Sequence, residues 1–173
     1  MIIIGFDVSS AVVGYCVLKC EDEQIKLIKC DYFKPSKKGS LFFKLNGLKQ
    51  NIISILDTYK PDHVAIEDIA KFMPRISSAQ TIICLAAYNR TVGLACYEYL
   101  GKDPELCNVM AIRHKLKSGK ILPKKEEMPE VIEKHLNIKL PRFRNKNNKI
   151  KPETFDVADG CAVALYHYYN LTQ

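Results

Sequence analysis

Apolar residues come first in dense blocks and then in spaced stripes, and the change of period separates strands from helices. Residues 2–8 (IIIGFDV), 12–19 and 25–33 are rich in Ile and Val and are divided by short polar turns, which predicts three strands. The turn Ser9-Ser10-Ala11 is tight, so the three strands read as an antiparallel meander, and Gly14 within the second marks a close backbone approach. From residue 41 the apolar positions Leu41, Leu45, Leu48, Ile52, Ile55 and Leu56 recur at helical spacing, predicting a helix over 41–58. Pro61 interrupts the chain before a fourth strand at 63–67. After a loop from Asp68 to Ile76, Ser77 and Ser78 are caps for a long helix that ends near Leu100, with Gly101 as its stop. Residues 107–112 read as a fifth strand, 113–123 as a basic loop and 124–136 as a helix. Pro141 to Pro152 reads as an exposed or partly mobile basic segment, and the last helix covers 155–170. The order β-β-β-α-β-α-β-α-α, with no internal repeat or linker, predicts one α/β domain over residues 1–173.

Composition agrees with a globular domain: 173 residues, 47% hydrophobic and 26% charged. No stretch approaches the roughly 18 apolar residues of a membrane span. The first apolar run has no basic segment before it and contains Asp7, which argues against a signal peptide. The seven cysteines are odd in number, form no Cys-x-x-Cys and lie mostly in apolar stretches. They read as buried thiols of a protein in a reducing, cytoplasmic compartment. The four histidines have no finger-like spacing, which leaves no sign of a zinc site.

Carboxylates alter this plain picture. Asp7 lies inside the first apolar run, Glu67 closes the run His63-Val-Ala-Ile-Glu, and Asp156 and Asp159 open the apolar run Phe155-Asp-Val-Ala-Asp-Gly-Cys-Ala-Val-Ala-Leu. Carboxylates avoid buried positions unless something pairs with them. Each has an ordinary explanation alone: a turn residue, a lysine partner, a helix cap, a complement to the helix dipole. Together they suggest a shared partner, because adjacent strands can set Asp7 beside Glu67, and residues three apart share one helix face. A divalent cation is the natural candidate, with Mg²⁺ foremost and Mn²⁺ a substitute, since carboxylates and phosphate oxygens suit it. Two such ions about 4 Å apart can activate water and stabilise the leaving oxygen of a phosphodiester. Asp68 is set aside, because strand alternation sends it to the opposite face.

The charge is uneven as well. The net charge is +7, and Arg113 to Lys151 holds 13 Lys and Arg against 4 Glu. A basic half beside an acidic cluster suggests a polyanion held on one surface and processed at another, the ordinary alternative being a solvated basic face.

The run Ile4-Gly-Phe-Asp-Val-Ser-Ser-Ala-Val-Val-Gly-Tyr-Cys-Val resembles the first hairpin of the RuvC family of Holliday-junction resolvases. Ala65-Ile66-Glu67 resembles that family's second acidic position, and Phe155-Asp-Val-Ala-Asp-Gly-Cys-Ala-Val-Ala its closing Asp-x-x-Asp helix. The ordered set spans nearly the whole chain. It implies an RNase H-like fold, a five-stranded mixed sheet flanked by helices. It also implies a homodimer that cuts a four-way DNA junction symmetrically, with Asp7, Glu67, Asp156 and Asp159 as catalytic metal ligands. Lys115 and Lys125 match the family's basic positions around the penultimate helix. Phe72 matches, displaced by a couple of residues, an aromatic that wedges into DNA, and Arg75 lies in the same loop as a further DNA contact. Val8-Ser9 stands where bacterial members often have Pro-Gly, and the basic stretch 141–152 is longer than usual, which bears on substrate preference. The helix at 78–100, with Ala86, Ala87 and Gly93, would allow the close approach of a second copy.

Three other readings share some of these features. An RNase H-like nuclease acting on RNA or RNA–DNA hybrids uses the same carboxylates, and a cleavage panel separates it. An inactive nucleic-acid-binding module of the same fold should have lost at least one acid, and all four are present. An actin-like ATPase also opens on a hairpin with Asp and Gly, but clamps nucleotide between two such domains, and 173 residues hold one.

Overall fold

The computed structural model describes residues 1–21, 24–69 and 78–172. Five strands form one sheet: β1 (Ile2–Val8), β2 (Val13–Glu21), β3 (Gln24–Phe33), β4 (His63–Glu67) and β5 (Glu105–Cys107), in the order β3-β2-β1-β4-β5. The β1–β2 and β2–β3 pairs are antiparallel, and the β1–β4 and β4–β5 pairs are parallel. The helices are α1 (Leu41–Tyr59), α2 (Ala79–Leu100), α3 (Val109–Leu116), α4 (Met128–Leu136) and α5 (Glu153–Leu171), and a short 3-10 turn, Lys125–Glu127, leads into α4. This is the mixed five-stranded α/β architecture expected. No helix among the described residues is long and apolar enough to cross a membrane.

Local chemistry explains the boundaries. Ser40 caps α1 by accepting from the Phe43 amide, and Ser78 caps α2 by accepting from the Thr81 amide. Gly101, at φ 66°, closes α2 with its amide on the Tyr97 carbonyl. One expectation fails. Residues 107–112 are not the fifth strand: β5 ends at Cys107, and 109–116 are helical. Asn108 is the reason. Its carboxamide oxygen accepts from the Met110 and Ala111 amides, which starts a helix where apolar content alone suggests a strand. The expected basic loop 113–123 is shortened accordingly, since Arg113 to Leu116 belong to α3.

Alternation along the strands sorts side chains to two cores. Ile4, Phe6, Val8, Val17, Val64 and Ile66 face α1 and α2, with Leu48, Ile52, Leu56 and Val92. Ile3, Cys16, Leu18 and Ala65 face α3, α4 and α5. Helix α5 lies across the second face and is buried almost all round from Val157 to Leu165, which explains why its sequence there is apolar apart from Asp159. Its close approach depends on two glycines. A Cβ at Gly5 would lie 2.3 Å from the Gly160 carbonyl oxygen, and one at Gly14 would lie 2.2 Å from the Asp156 carbonyl oxygen.

The cysteines are free thiols, five of them buried, as the sequence suggests. Of the histidines, His135 is satisfied by the Tyr169 hydroxyl at 3.0 Å and the Leu116 carbonyl at 3.1 Å. His167 is buried beside His63, ring centroids 5.4 Å apart, and its Nε2 has no hydrogen-bond partner among the described residues. Burial, with the charges of His63 and Lys102, lowers its pKa to about 4. The native state therefore resists a proton that the unfolded chain accepts near pH 6.5. Stability is full above pH 6.5 and falls as the pH drops toward 4, by on the order of 2–3 kcal/mol from this group. His167→Phe is expected to narrow the gap between urea-unfolding free energies measured at pH 7.5 and pH 4.5. An unchanged gap would contradict the assignment.

Candidate active site

Three elements deliver the four carboxylates to one end of the sheet. Asp7 and Glu67 follow the last registered pair of the parallel β1–β4 ladder, Phe6 and Ile66, so the two acids end neighbouring strands side by side. Both follow the alternation that turns Ile3, Gly5 and Ala65 toward α5. Asp156 lies in the first turn of α5 and Asp159 one turn on, on the side of the helix that meets β1 and β2. Asp68 alternates to the other face and pairs with Arg90 at 2.9 Å, which supports leaving it out.

At the centre stands a cation. The Lys125 ammonium is 2.7 Å from Asp156 Oδ1, 3.3 Å from Asp159 Oδ2 and 3.9 Å from Asp7 Oδ2. The lysine sits in the 3-10 turn, which is held by the Lys124 amide donating to Glu127 Oε2 at 2.7 Å. Burial pulls its ammonium toward lower pKa, but Asp7, Asp159 and Asp156 outweigh this and hold it above the ordinary lysine value.

One ammonium does not balance the acids. Burial, then the charges of Glu67, Asp159 and Asp156, push the Asp7 carboxyl well above its usual range against the pull of Lys125. Burial and Asp159 push Glu67 up to about 7, with Lys125 and Arg113 acting the other way. Asp159 is also raised by burial, again opposed by Lys125 and Arg113. The cluster is thus short of positive charge, and its donors are hard carboxylate oxygens, the chemistry that suits a divalent cation. The side chains converge on the ammonium, and among the described residues no three acidic, His or Cys groups stand as a finished cage around one point. The donor set fits Mg²⁺ in kind, number and charge, and an ion would take over the neutralising role that Lys125 has here.

Supporting residues appear that the sequence reading passed over. Asn89 of α2, only 2% exposed, donates to the Glu67 carbonyl at 2.8 Å and pins the end of β4. Arg90 donates to Asn89 Oδ1 at 2.7 Å, linking that pin to Asp68. Arg113 of α3 acts electrostatically on Glu67 and Asp159, and its buried Nε has no hydrogen-bond partner among the described residues. Reading Asn108 as a helix cap would have moved Arg113 from a loop onto a helix packed against α5. Of the expected DNA contacts, Lys125 joins the acids, whereas Lys115 lies half-buried near the end of α3 and is not among the cations around Asp7. Phe72 and Arg75 lie outside the described residues.

The chain is similar to known proteins in sequence and in fold. Residues 3–167 match the family described as crossover junction endodeoxyribonuclease RuvC. The chain is 29% identical over 175 residues to the crossover junction endodeoxyribonuclease RuvC of Christiangramia forsetii, covering 98% of this chain and 80% of that one. In structure it is similar to T. thermophilus RuvC solved with a Holliday junction substrate, with a TM-score of 0.75 at 19% identity over 99% of this chain and 96% of that one. It is also similar to the Fowlpox virus resolvase solved with Holliday junction DNA, at 0.59 and 17% identity, covering both chains fully.

Proposed function

The chain belongs to the RuvC family of crossover junction endodeoxyribonucleases, and we propose that it resolves four-way DNA junctions by paired, metal-dependent phosphodiester hydrolysis. The whole chain serves as one nuclease domain. The observation that carries this reading is the gathering of four carboxylates from β1, β4 and α5 around one cationic point. Asp7, Glu67, Asp156 and Asp159 would hold Mg²⁺, two ions per site, with Mn²⁺ able to substitute. What bound Mg²⁺ supplies is charge neutralisation at the phosphoryl oxygens and a water of lowered pKa.

The chain's own residues do the rest. Lys125 and Arg113 oppose the rise in proton affinity that burial and like charge impose on Glu67 and Asp159. Asn89 holds Glu67 at the strand end. Lys115, with Phe72 and Arg75, which follow β4 in the chain, grips the DNA. Two copies act together. The outer side of α2 leaves Ile83, Leu94 and Tyr97 exposed, the last two beside Leu106 of β5, and a two-fold pair suits a nearly two-fold junction. Light scattering at micromolar protein is expected to give a dimer in the absence of DNA. A persistent monomer would remove the symmetric-incision model. Free thiols buried in the core suit a reducing, intracellular setting.

The deciding experiment incubates labelled four-way junction, linear duplex and RNA–DNA hybrid with the protein, with and without Mg²⁺, and maps the products. Symmetric incisions in the junction alone, only with Mg²⁺, are expected. Preferential cutting of the hybrid would replace the junction reading with an RNase H-type one. Affinity for junction DNA is also expected to fall steeply with salt, by a slope of about −0.9 in log K per phosphate contact. Replacing Lys115 and Lys125 together by glutamine should lessen that slope and slow cleavage. A flat salt response in the wild type would contradict phosphate binding.

A further inference from the structure

Between α4 and α5 the chain carries positive charge that the acid cluster does not use. From Lys134 to Pro152 there is no acidic residue. Lys139 and Arg142 are engaged by the buried Glu133, at 3.3 and 3.1 Å. Arg144, Lys146, Lys149 and Lys151 have no carboxylate within ion-pairing distance among the described residues.

These four cations sit on a built hairpin where the sequence suggests an exposed, partly mobile segment. Arg144 and Ile150 pair across it in antiparallel fashion. Asn145 accepts on its side-chain oxygen from the Asn147 and Lys149 amides, at 2.9 and 3.0 Å, and Asn148 takes the left-handed conformation at φ 60°. The Arg144 guanidinium donates to the Asn148 carbonyl at 2.7 Å. The base is fastened to the domain. The Lys151 amide donates to the Phe143 carbonyl at 2.8 Å, and the Phe143 amide donates to Thr154 Oγ1 at 3.0 Å. The Phe143 ring stands edge-on to Tyr32, centroids 4.8 Å apart.

That anchor fixes the hairpin relative to the acids. Tyr32 of β3 pairs with Gly14 of β2, and Gly14 pairs with Asp7 of β1. Thr154 lies two residues before Asp156. Tyr32, against which the hairpin base packs, is therefore two strands from Asp7, about 10 Å across the sheet, and the turn extends up to ~13 Å beyond the base. At 3.4 Å per base pair this spans roughly three to seven base pairs from the scissile phosphate.

We propose that the 143–151 hairpin is a preformed arm that grips the phosphate backbone of the duplex flanking the cleavage site, through Lys146 and Lys149 at its turn. A rigid turn suits this role, since little ordering is lost when the lysines meet phosphates. The proposal rests on the junction-nuclease reading and gives that reading a second contact surface outside the carboxylate cluster.

Lys146→Gln/Lys149→Gln tests it. Arg144 stays, because its guanidinium also holds the turn. Both lysines are exposed, so the melting temperature should not change. Junction binding measured in EDTA across a salt series should lose about two units of slope. Backbone protection three to seven base pairs from the cut should disappear from a footprint. Cleavage at saturating protein should stay within about twofold of wild type. If the wild type binds and cuts junctions while the variant keeps its slope and footprint, the arm is refuted and the nuclease reading stands. If the wild type binds no DNA, both fall together.

Discussion

Asp7→Asn is expected to abolish junction cleavage while leaving junction binding intact or tighter. Burial, Glu67, Asp159 and Asp156 all raise the proton affinity of Asp7. The amide is nearly the same shape, so the fold is preserved. It carries no charge, so it removes a metal ligand and also part of the repulsion that the cluster exerts on an approaching phosphate. Losing several kcal/mol of charge stabilisation in the hydrolytic step corresponds to at least about a thousandfold in rate. Glu67→Gln should behave alike. Single-turnover cleavage at saturating protein, alongside gel-shift affinity, separates the two effects. Near wild-type cleavage by Asp7→Asn in Mg²⁺ would mean that the catalytic centre lies elsewhere.

The second large effect is structural. Gly5→Ala places a methyl group 2.3 Å from the Gly160 carbonyl oxygen and 2.5 Å from the Ala164 amide nitrogen, and both are backbone atoms that cannot rotate away. Relief requires α5 to lift from the sheet, which opens the core around Ala158, Cys161 and Leu165. The cost should reach ~3 kcal/mol or more, a large share of the 5–15 kcal/mol typical of a domain. A melting temperature lower by roughly 10 °C follows for a chain of this size. Cleavage should fall as well, because α5 carries Asp156 and Asp159. Gly47→Ala is the contrast: it lies within α1, and nothing stands within 4 Å of the added Cβ. It should be neutral or raise stability by up to about 1 kcal/mol. A Gly5→Ala protein melting within 2 °C of wild type would show that α5 does not depend on this contact.

Much of the architecture is legible along the chain because its signals are local. Period-two alternation and β-branched residues mark β1 to β4, and Ser40, Ser78 and Gly101 delimit helices by hydrogen bonds they make within a few residues. The fifth strand is misread for the same local reason: Leu106, Cys107, Val109, Met110 and Ile112 are apolar enough for a strand, and the cap at Asn108 decides otherwise. The 141–152 stretch looks featureless because asparagines and lysines signal exposure. Its order comes from Phe143 meeting Tyr32, a contact between residues more than a hundred positions apart.

The site divides along similar lines. A buried charge is visible wherever a carboxylate interrupts an apolar run, so Asp7, Glu67, Asp156 and Asp159 can be chosen from sequence, and alternation alone sets Asp68 aside. Which cation meets them cannot be chosen in that way. Thirteen Lys and Arg lie between Arg113 and Lys151, and only the turn at Lys125–Glu127 brings one ammonium within 4 Å of three carboxylates. Asn89 and Arg113 acquire their roles in the same way, from helices packed by apolar faces that say nothing of the polar residues they carry. Composition and period thus determine the elements, the sheet faces and the acids, because burial preference is a property of each residue and its near neighbours. Ion pairing and electrostatic balance among distant residues are decided by tertiary structure, because Coulomb energy depends on separation in space.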